Sequence, residues 1–479
     1  MTRSTYDAVV VGAGPNGLVG AITMARAGCK VLLLEAAPII GGGMRSAELT
    51  EPGFVHDICS TVHALGVASP ALLELALPDY GVEWIEPDIQ LGHPLDDGRA
   101  ALLHRDVTRT AEAFGPHDRR AYTRLMQPMV DHTSQLVETF LSPLTPPRAP
   151  LAAARFGRHA IRSADALARA RFEGDEPRAL IGGIAAHAIQ PLTNPGTAGY
   201  GLFLGVLAHA SGWPVARGGS QQLANALGAI LTDLGGEIVT DHRVSDLASL
   251  PPSTATLLDV TPRQLMQLGG DAVVGRYRRA LTRYRYGPGV FKLDWALREP
   301  IPWTNRDLRR AGTLHLGGRI EEIVAAEAAV ARGGHPARPY VILVQPTIMD
   351  PSRAPAGAHV AWAYCHVPNG STEDQTAAIE QQIERFAPGF ADTVIARHSM
   401  NTAAMELHNA NYVAGDINGG AGDLRQLFTR PIASRHPWAT SIPGTYLCSS
   451  STPPGGGVHG MGGLHAARLA LRRVTRATM

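Results

Sequence analysis

Residues 6–35 read YDAVVVGAGPNGLVGAITMARAGCKVLLLE: an apolar run, a glycine turn, a helix-forming stretch and a second apolar run closed by an acid. Few folds accommodate that order. Residues 8–11 are short, apolar and valine-rich, as expected of a central parallel strand covered on both faces. Gly12 permits a tight turn, Gly14 has no Cβ to obstruct a pyrophosphate, and Gly17 lets the following helix close on the strand. With Pro15 and Asn16 they form a candidate diphosphate loop. A helix over 16–26 would point free N–H groups and the positive end of its dipole at the anion. Glu35, closing a strand over 30–34, is placed to accept hydrogen bonds from ribose hydroxyls. An acid there favours FAD or NAD over a 2′-phosphorylated nucleotide, because carboxylate and phosphate repel. A lone G-x-G-x-x-G says little, but strand, spacing, helix and terminal acid together specify a dinucleotide site.

The chain has 479 residues, too many for one ordinary core, so two or three domains are expected, with room to enclose a large cofactor. Forty-three Lys and Arg against 42 Asp and Glu give a net charge of +1, so no global field exists to recruit nucleic acid. Cys29, Cys59, Cys365 and Cys448 lie far apart, form no C-x-x-C, and read as reduced thiols of a cytoplasmic protein. Five residues without an apolar segment precede Tyr6, so no secretory signal is expected. The apolar stretch 180–213 is interrupted by His187, Gln190, Pro191, Asn194 and Pro195, which argues against a spanning helix.

Three glycines, Gly41, Gly42 and Gly43, followed by Arg45, form a second close-approach loop with a planar cation for a diphosphate. Alone, this would read as a surface turn; behind the first fingerprint it reads as the far wall of a cofactor channel. From about residue 71 the chain turns helical, with patterns over 118–141 and 151–172 separated by the break SPLTPPRAP. Near residue 215 βα character returns: a turn, an amphipathic helix stopped by Gly235 and Gly236, and a strand through Val239. Strand runs at 340–344 and 359–364 and helices at 319–331 and 373–386 then supply a sheet and a wall for a substrate pocket. The expected division is a cofactor domain in three pieces, 1–70, 215–262 and 425–479, and a substrate domain with a helical part, 71–214, and a sheet-containing part, 263–424. At the C-terminus a strand ends near Cys448, a loop of Ser, Thr, Pro and Gly follows, and a helix begins near Gly460. Its positive N-terminus would face whatever lies above residues 455–459, and a flavin ring that gains negative charge on reduction suits that place.

The motifs GAGPNG with Glu35, GGGMRSAELTEPGF, GGSQQLANAL with GGEIV, and PGGGVHGMGG resemble those of the FAD-dependent phytoene desaturase-like oxidoreductases. Within that family the chain is similar to the branch that includes the pyridine nucleotide-disulphide oxidoreductase domain-containing protein 2 group. The resemblance runs nearly the whole length. It implies an α/β fold: a discontinuous, glutathione-reductase-like FAD-binding Rossmann domain with an inserted α+β substrate domain. It further implies FAD diphosphate contacts from Gly12, Gly14, Asn16, Gly17, Gly43 and Arg45, ribose contacts from Glu35, and an adenine contact from the Val244 backbone. Gly456, Gly457, Val458 and His459 would meet the isoalloxazine. Two departures stand out. Met44 intervenes between the glycines and Arg45, and Ser449 and Ser450 stand where many relatives have Gly-Asp, so a neutral hydroxyl replaces a carboxylate near the flavin chain.

Flavin dehydrogenation asks the protein to hold a C–H bond over the ring, exclude water and accept a proton where the substrate loses one. His56, Asp57, His459 and Asn418 are expected nearest the ring, with His459 and then His56 as candidate catalytic residues. A histidine in such a loop also serves as a hydrogen-bond fixture, and Asp57 is expected to fix its own loop. No H-E-x-x-H or Cys/His cluster suggests a metal, and no second glycine fingerprint suggests a bound nicotinamide. The leading expectation is an FAD-dependent dehydrogenase or desaturase acting on an apolar substrate, its electrons leaving to oxygen, a quinone or another carrier. The alternatives are an amine oxidase, disfavoured by only 6% aromatic residues, a non-redox flavin isomerase, and a flavin-bound scaffold. Arg155, Arg158, Arg162, Arg169 and Arg171 sit among apolar residues over 151–172; a solvated basic helix is the preferred reading, and peripheral contact with an anionic membrane is the other.

Overall fold

The computed structural model describes residues 6–142 and 147–478, so residues 143–146 of the proline-rich break lie outside the described residues. Five parallel strands form the first sheet, in the spatial order Thr445–Leu447, Ser253–Leu258, Tyr6–Val11, Val31–Leu34, Glu237–Val239. The first strand sits at the centre, paired with 253–258 on one side and 31–34 on the other, and Ala8 through Val11 are buried. Continuous β-branched burial is the mark of a strand with helices on both faces. The helix Pro15–Arg26 starts on Gly14 in extended backbone with proline at its first position. Against it packs the C-terminal helix Met461–Thr478, and a Cβ on Gly463 would penetrate the backbone oxygen of Asn16. Strands drawn from three distant stretches therefore close one Rossmann-like α/β unit.

The second sheet has seven strands, in the order Val394–Met400, Gly289–Leu297, His359–Val367, Val341–Val344, Ala311–Leu316, Ile89–Pro94, Ala100–Leu103. All pairs are antiparallel except 89–94 with 311–316. Two of its strands come from the stretch read as helical, and the long strand 289–297, buried at every residue, shows no alternation to betray it in sequence. The expected helix over 118–141 is two helices, Pro116–Val130 and Thr133–Phe140. The pattern over 151–172 likewise divides into Pro150–Ala160 and Ala164–Arg171, because the Ser163 hydroxyl accepts the Ala166 amide and starts a new helix.

Candidate functional site

The two sheets and the helical lobe enclose a cavity of about 1180 Å³, beyond the several hundred Å³ of an ordinary ligand pocket and large enough for a dinucleotide together with a substrate. One end is backbone. Gly12, Gly14, Pro15 and Asn16 line it, faced by Gly42, Gly43 and Arg45, and a Cβ on Gly42 would come within 3.0 Å of the Gly14 Cα. Gly17 stands behind the wall: its Cβ would collide with the Gly12 carbonyl, so its absence lets the turn close rather than admitting a ligand.

Glu35 lines the same end. Its Oε2 accepts the Ala13 amide at 2.7 Å and its Oε1 the Ala37 amide at 2.8 Å, leaving lone pairs for a ribose. Val244 lies on the cavity wall as well. Arg45 is buried, donating through Nε to Gly42 O at 3.0 Å and through a terminal nitrogen to His408 O at 2.9 Å, so part of its fork is spent on protein carbonyls.

A carboxyl group not singled out from sequence shares this end. Asp259 follows the strand 253–258, lines the cavity, and accepts the Gly17 amide through Oδ2 at 3.0 Å. Burial, with the nearby Glu35 charge adding to it, raises its pKa to about 7. The signal was present: an acid at the carboxyl end of a parallel strand, where ligands of open α/β sheets bind.

Ser450, Gly456, Gly457, Val458, His459 and Asn418 line the middle of the cavity. The Ser449 hydroxyl donates to Val260 O at 2.7 Å. His459 departs from the expectation of a titrating base. Its Nδ1 accepts the Met461 amide at 3.0 Å, its Nε2 donates to Gly455 O at 3.3 Å, and burial lowers its pKa to about 4. It is a neutral brace that holds the loop against the start of the last helix.

His56 and Asp57 are absent from the cavity wall, and the expectation that His56 is catalytic is corrected accordingly. In the antiparallel pair Ser46–Glu48 and Val55–Asp57 these consecutive residues leave opposite faces of the strand, His56 toward Asp294 of the second sheet and Asp57 toward Ser220 and Arg353. His56 Nε2 meets Thr50 Oγ1 at 2.8 Å and its Nδ1 lies 3.6 Å from Asp294; burial pushes its pKa down to about 4. Asp57 accepts the Ser46 hydroxyl at 2.6 Å and the Ser220 amide at 2.8 Å, and pairs with buried Arg353 at 2.9 Å.

Residues unread from the sequence take the place vacated by His56. His63 lines the cavity, its Nε2 2.8 Å from Ser220 Oγ and its pKa lowered to about 4 by burial. Trp362 and Tyr364, two apart on one strand and so on the same face, stack at 5.7 Å and 9° on the cavity floor. Trp362 donates from Nε1 to Thr61 Oγ1 at 2.7 Å. The low aromatic total of the chain thus hides a local concentration. Beyond them the walls are apolar: Phe140, Phe156, Phe203, Leu204, Leu424 and Leu427.

A backbone cradle without side chains, a helix N-terminus, an acid at the end of the second strand and an arginine opposite fit the phosphates and ribose of a dinucleotide. Residues 10–76 match the family model of an NAD(P)-binding Rossmann-like domain. The chain is 25% identical to pyridine nucleotide-disulfide oxidoreductase domain-containing protein 2 of Rattus norvegicus, over 98% of this chain and 94% of that one. To the lycopene-forming phytoene desaturase of Pseudescherichia vulneris it is 26% identical, over 95% and 96%. Its fold matches that of a wild-type putrescine oxidase crystallised with putrescine, at a TM-score of 0.63 and 17% identity, covering 99% of both chains.

Proposed function

We propose that the chain, similar along nearly its whole length to phytoene desaturases and their relatives, is an FAD-dependent oxidoreductase that dehydrogenates an apolar organic substrate. Held by the glycine cradle, Glu35 and Arg45, FAD would supply a two-electron acceptor for the hydride, with oxygen, a quinone or another carrier as the final electron acceptor. One observation carries this reading: the cavity runs without interruption from the glycine cradle to the phenylalanines and leucines of the helical lobe. Such walls bind hydrocarbon, exclude water and offer an ammonium ion no countercharge.

Amine oxidation is a second reading, favoured by the stacked Trp362 and Tyr364 and by the likeness to putrescine oxidase. Anaerobic titration of the yellow protein with apolar alkenes and alcohols on one side and with primary and secondary amines on the other separates the two. Bleaching of the flavin band by the apolar set alone is the expected result, and bleaching by amines alone would overturn it.

Peripheral contact with an anionic membrane and a cytoplasmic location belong to the same proposal. Leu151 and Ile161 are exposed at the two ends of the helix Pro150–Ala160, Arg155 and Arg158 point outward, and Phe156 and Ile161 line the cavity, so an apolar substrate could enter beside a basic surface. Arg169 is spent on Asp165 and Glu321. No helix among the described residues is long and apolar enough to cross a membrane. All four cysteines are unpaired, as a reducing compartment would keep them.

A further inference from the structure

We propose that residues 406–411 form a clasp across the diphosphate end of the cavity, a wall that swings aside for FAD to enter or leave; the proposal rests on the reading that the glycine cradle holds FAD. The segment is carried by the second sheet. Strand Val394–Met400 leads into the helix Thr402–His408, whose last turn and the loop after it reach the cavity wall at Leu407, His408, Asn409, Ala410 and Asn411. It crosses from one side of the cradle to the other. On one side the Arg45 guanidinium, beside the triple glycine, donates to His408 O at 2.9 Å. On the other, Asn411 donates to Asp259 O at 2.8 Å and accepts the Thr261 amide at 3.1 Å, Gln264 donates to Ala410 O, and Arg263 pairs with Glu406. These partners follow the strand Ser253–Leu258 of the first sheet, so the clasp joins the two halves of the molecule at the cradle.

Steric reasoning calls for a door. The glycine walls close to a waist where a Cβ on Gly42 would come within 3.0 Å of the Gly14 Cα, and FAD carries a ring system at each end of its diphosphate. Rings do not thread lengthwise past such a waist, so the cofactor must enter from the side. The wall 12–17 cannot give way, because Gly17 lies against the Gly12 carbonyl and Gly463 against that of Asn16. The facing loop is fixed by backbone, the Gly41 amide donating to Ala13 O at 2.8 Å and the Ser60 amide to Gly43 O at 2.9 Å. The clasp is held by side-chain tips. None of residues 406–411 is buried and Leu407 is 89% exposed, whereas Met405 and Tyr412 at its two ends are anchored in an apolar cluster with Ile58. Polar ties over few apolar contacts open locally at far less cost than global unfolding.

Glu406 is the catch. One of its oxygens takes Arg263, and the other accepts the amide of Ala414, which stands at φ 53° and ψ 33° in the left-handed region that an L side chain rarely adopts. The same carboxylate thus fastens the clasp and holds a strained turn beside it.

A door and a ligand contact differ in kinetics: loosening a door speeds entry and exit together, whereas losing a contact speeds exit alone. Holoprotein loaded with radiolabelled FAD and chased with excess unlabelled FAD gives the release rate, and fluorescence titration gives the dissociation constant. We expect Glu406→Gln and Asn411→Ala each to raise the release rate by about tenfold, the worth of one hydrogen bond, while the dissociation constant changes by less than about threefold. Unaltered release in both variants, or faster release matched by an equal rise in the dissociation constant, would overturn the proposal. Hydrogen exchange of the wild-type holoprotein needs no variant: the amides of 406–411 should exchange about a hundredfold faster than those of 12–17, and equal protection would also overturn it. A full chain that took up no FAD would remove the cofactor reading and the clasp's cargo with it, while failure of the clasp alone leaves FAD bound and the exchange uniform.

Discussion

The Asp259 carboxyl reaches the amide of Gly17, 3.0 Å away and 242 residues earlier in the chain, and so takes an N–H of the turn that faces a diphosphate. Burial first, and then the charge of Glu35, lifts its pKa to about 7; it also faces the buried Cys448 thiol. Its proton is held more tightly in the folded chain than in the unfolded one. The stability this contributes is present below the ordinary value of 3.8 and is lost as pH rises through about 7. An ionised Asp259 would also repel the phosphates. FAD affinity should therefore fall between pH 6 and 9 by about tenfold, the equivalent of roughly one pKa unit of coupling. Asp259→Asn should flatten that dependence and bind more tightly at the alkaline end. Fluorescence titration of the apoprotein with FAD across this range checks it, and a parallel decline in the variant would rule it out.

Close approach of backbones is the second lever. A Cβ on Gly17 would collide with the Gly12 carbonyl, and one on Gly463 with the carbonyl of Asn16. Neither neighbour is a flexible side-chain end, so the turn or the helix pair must shift. Gly17→Ala and Gly463→Ala should each cost about 3 kcal/mol and weaken FAD retention on gel filtration. Gly28→Ala meets nothing within 4 Å, though its φ of 84° imposes a smaller strain, and should cost about 1 kcal/mol.

His459 is committed at both ring nitrogens, which separates a brace from a base. His459→Ala frees the Met461 amide and should raise the FAD dissociation constant by roughly tenfold, the worth of one or two buried hydrogen bonds. The rate of flavin reduction at saturating FAD should fall by less than about tenfold, whereas loss of a general base costs a hundredfold or more. With a pKa near 4, His459 should leave no inflection in the reduction rate between pH 5 and 8, and one that vanished with the substitution would restore its catalytic role.

What could be read from sequence was local sterics. Gly12, Gly14 and Glu35 announce a dinucleotide turn because each has a task set by neighbours within thirty residues, and the turn lies where those tasks require. The floor of the chamber was hidden for the opposite reason. Strand 289–297 is buried along its whole length and so has no period to detect, and strand 89–94 finds its parallel partner more than two hundred residues away at 311–316. His56 follows the glycine loop closely in sequence yet lies away from the cavity, because the pleat turns it to Asp294 of the other sheet. His187 reads in sequence as a mere interruption of an apolar run, and only the packing of distant elements places it on the cavity wall beside Trp213 and His315.

Asp57 and Arg353 form the joint between the cofactor loop and the second sheet, 2.9 Å apart and both buried. Burial alone would push the Asp57 carboxyl up, but the Arg353 charge and the bonds from Ser46 and Ser220 outweigh it and hold the pKa below the ordinary 3.8. The stability contributed is therefore full above that value and is lost as pH falls through the depressed one. Arg353→Ala leaves a carboxylate in the interior without its countercharge and should cost about 3–5 kcal/mol. Arg353→Ala with Asp57→Asn should recover a large part of that loss, because an amide can stay buried on the Ser46 and Ser220 bonds alone. Urea unfolding at pH 7 of both single variants and the double variant measures the coupling. Strictly additive losses would mean that the pair does not hold the joint.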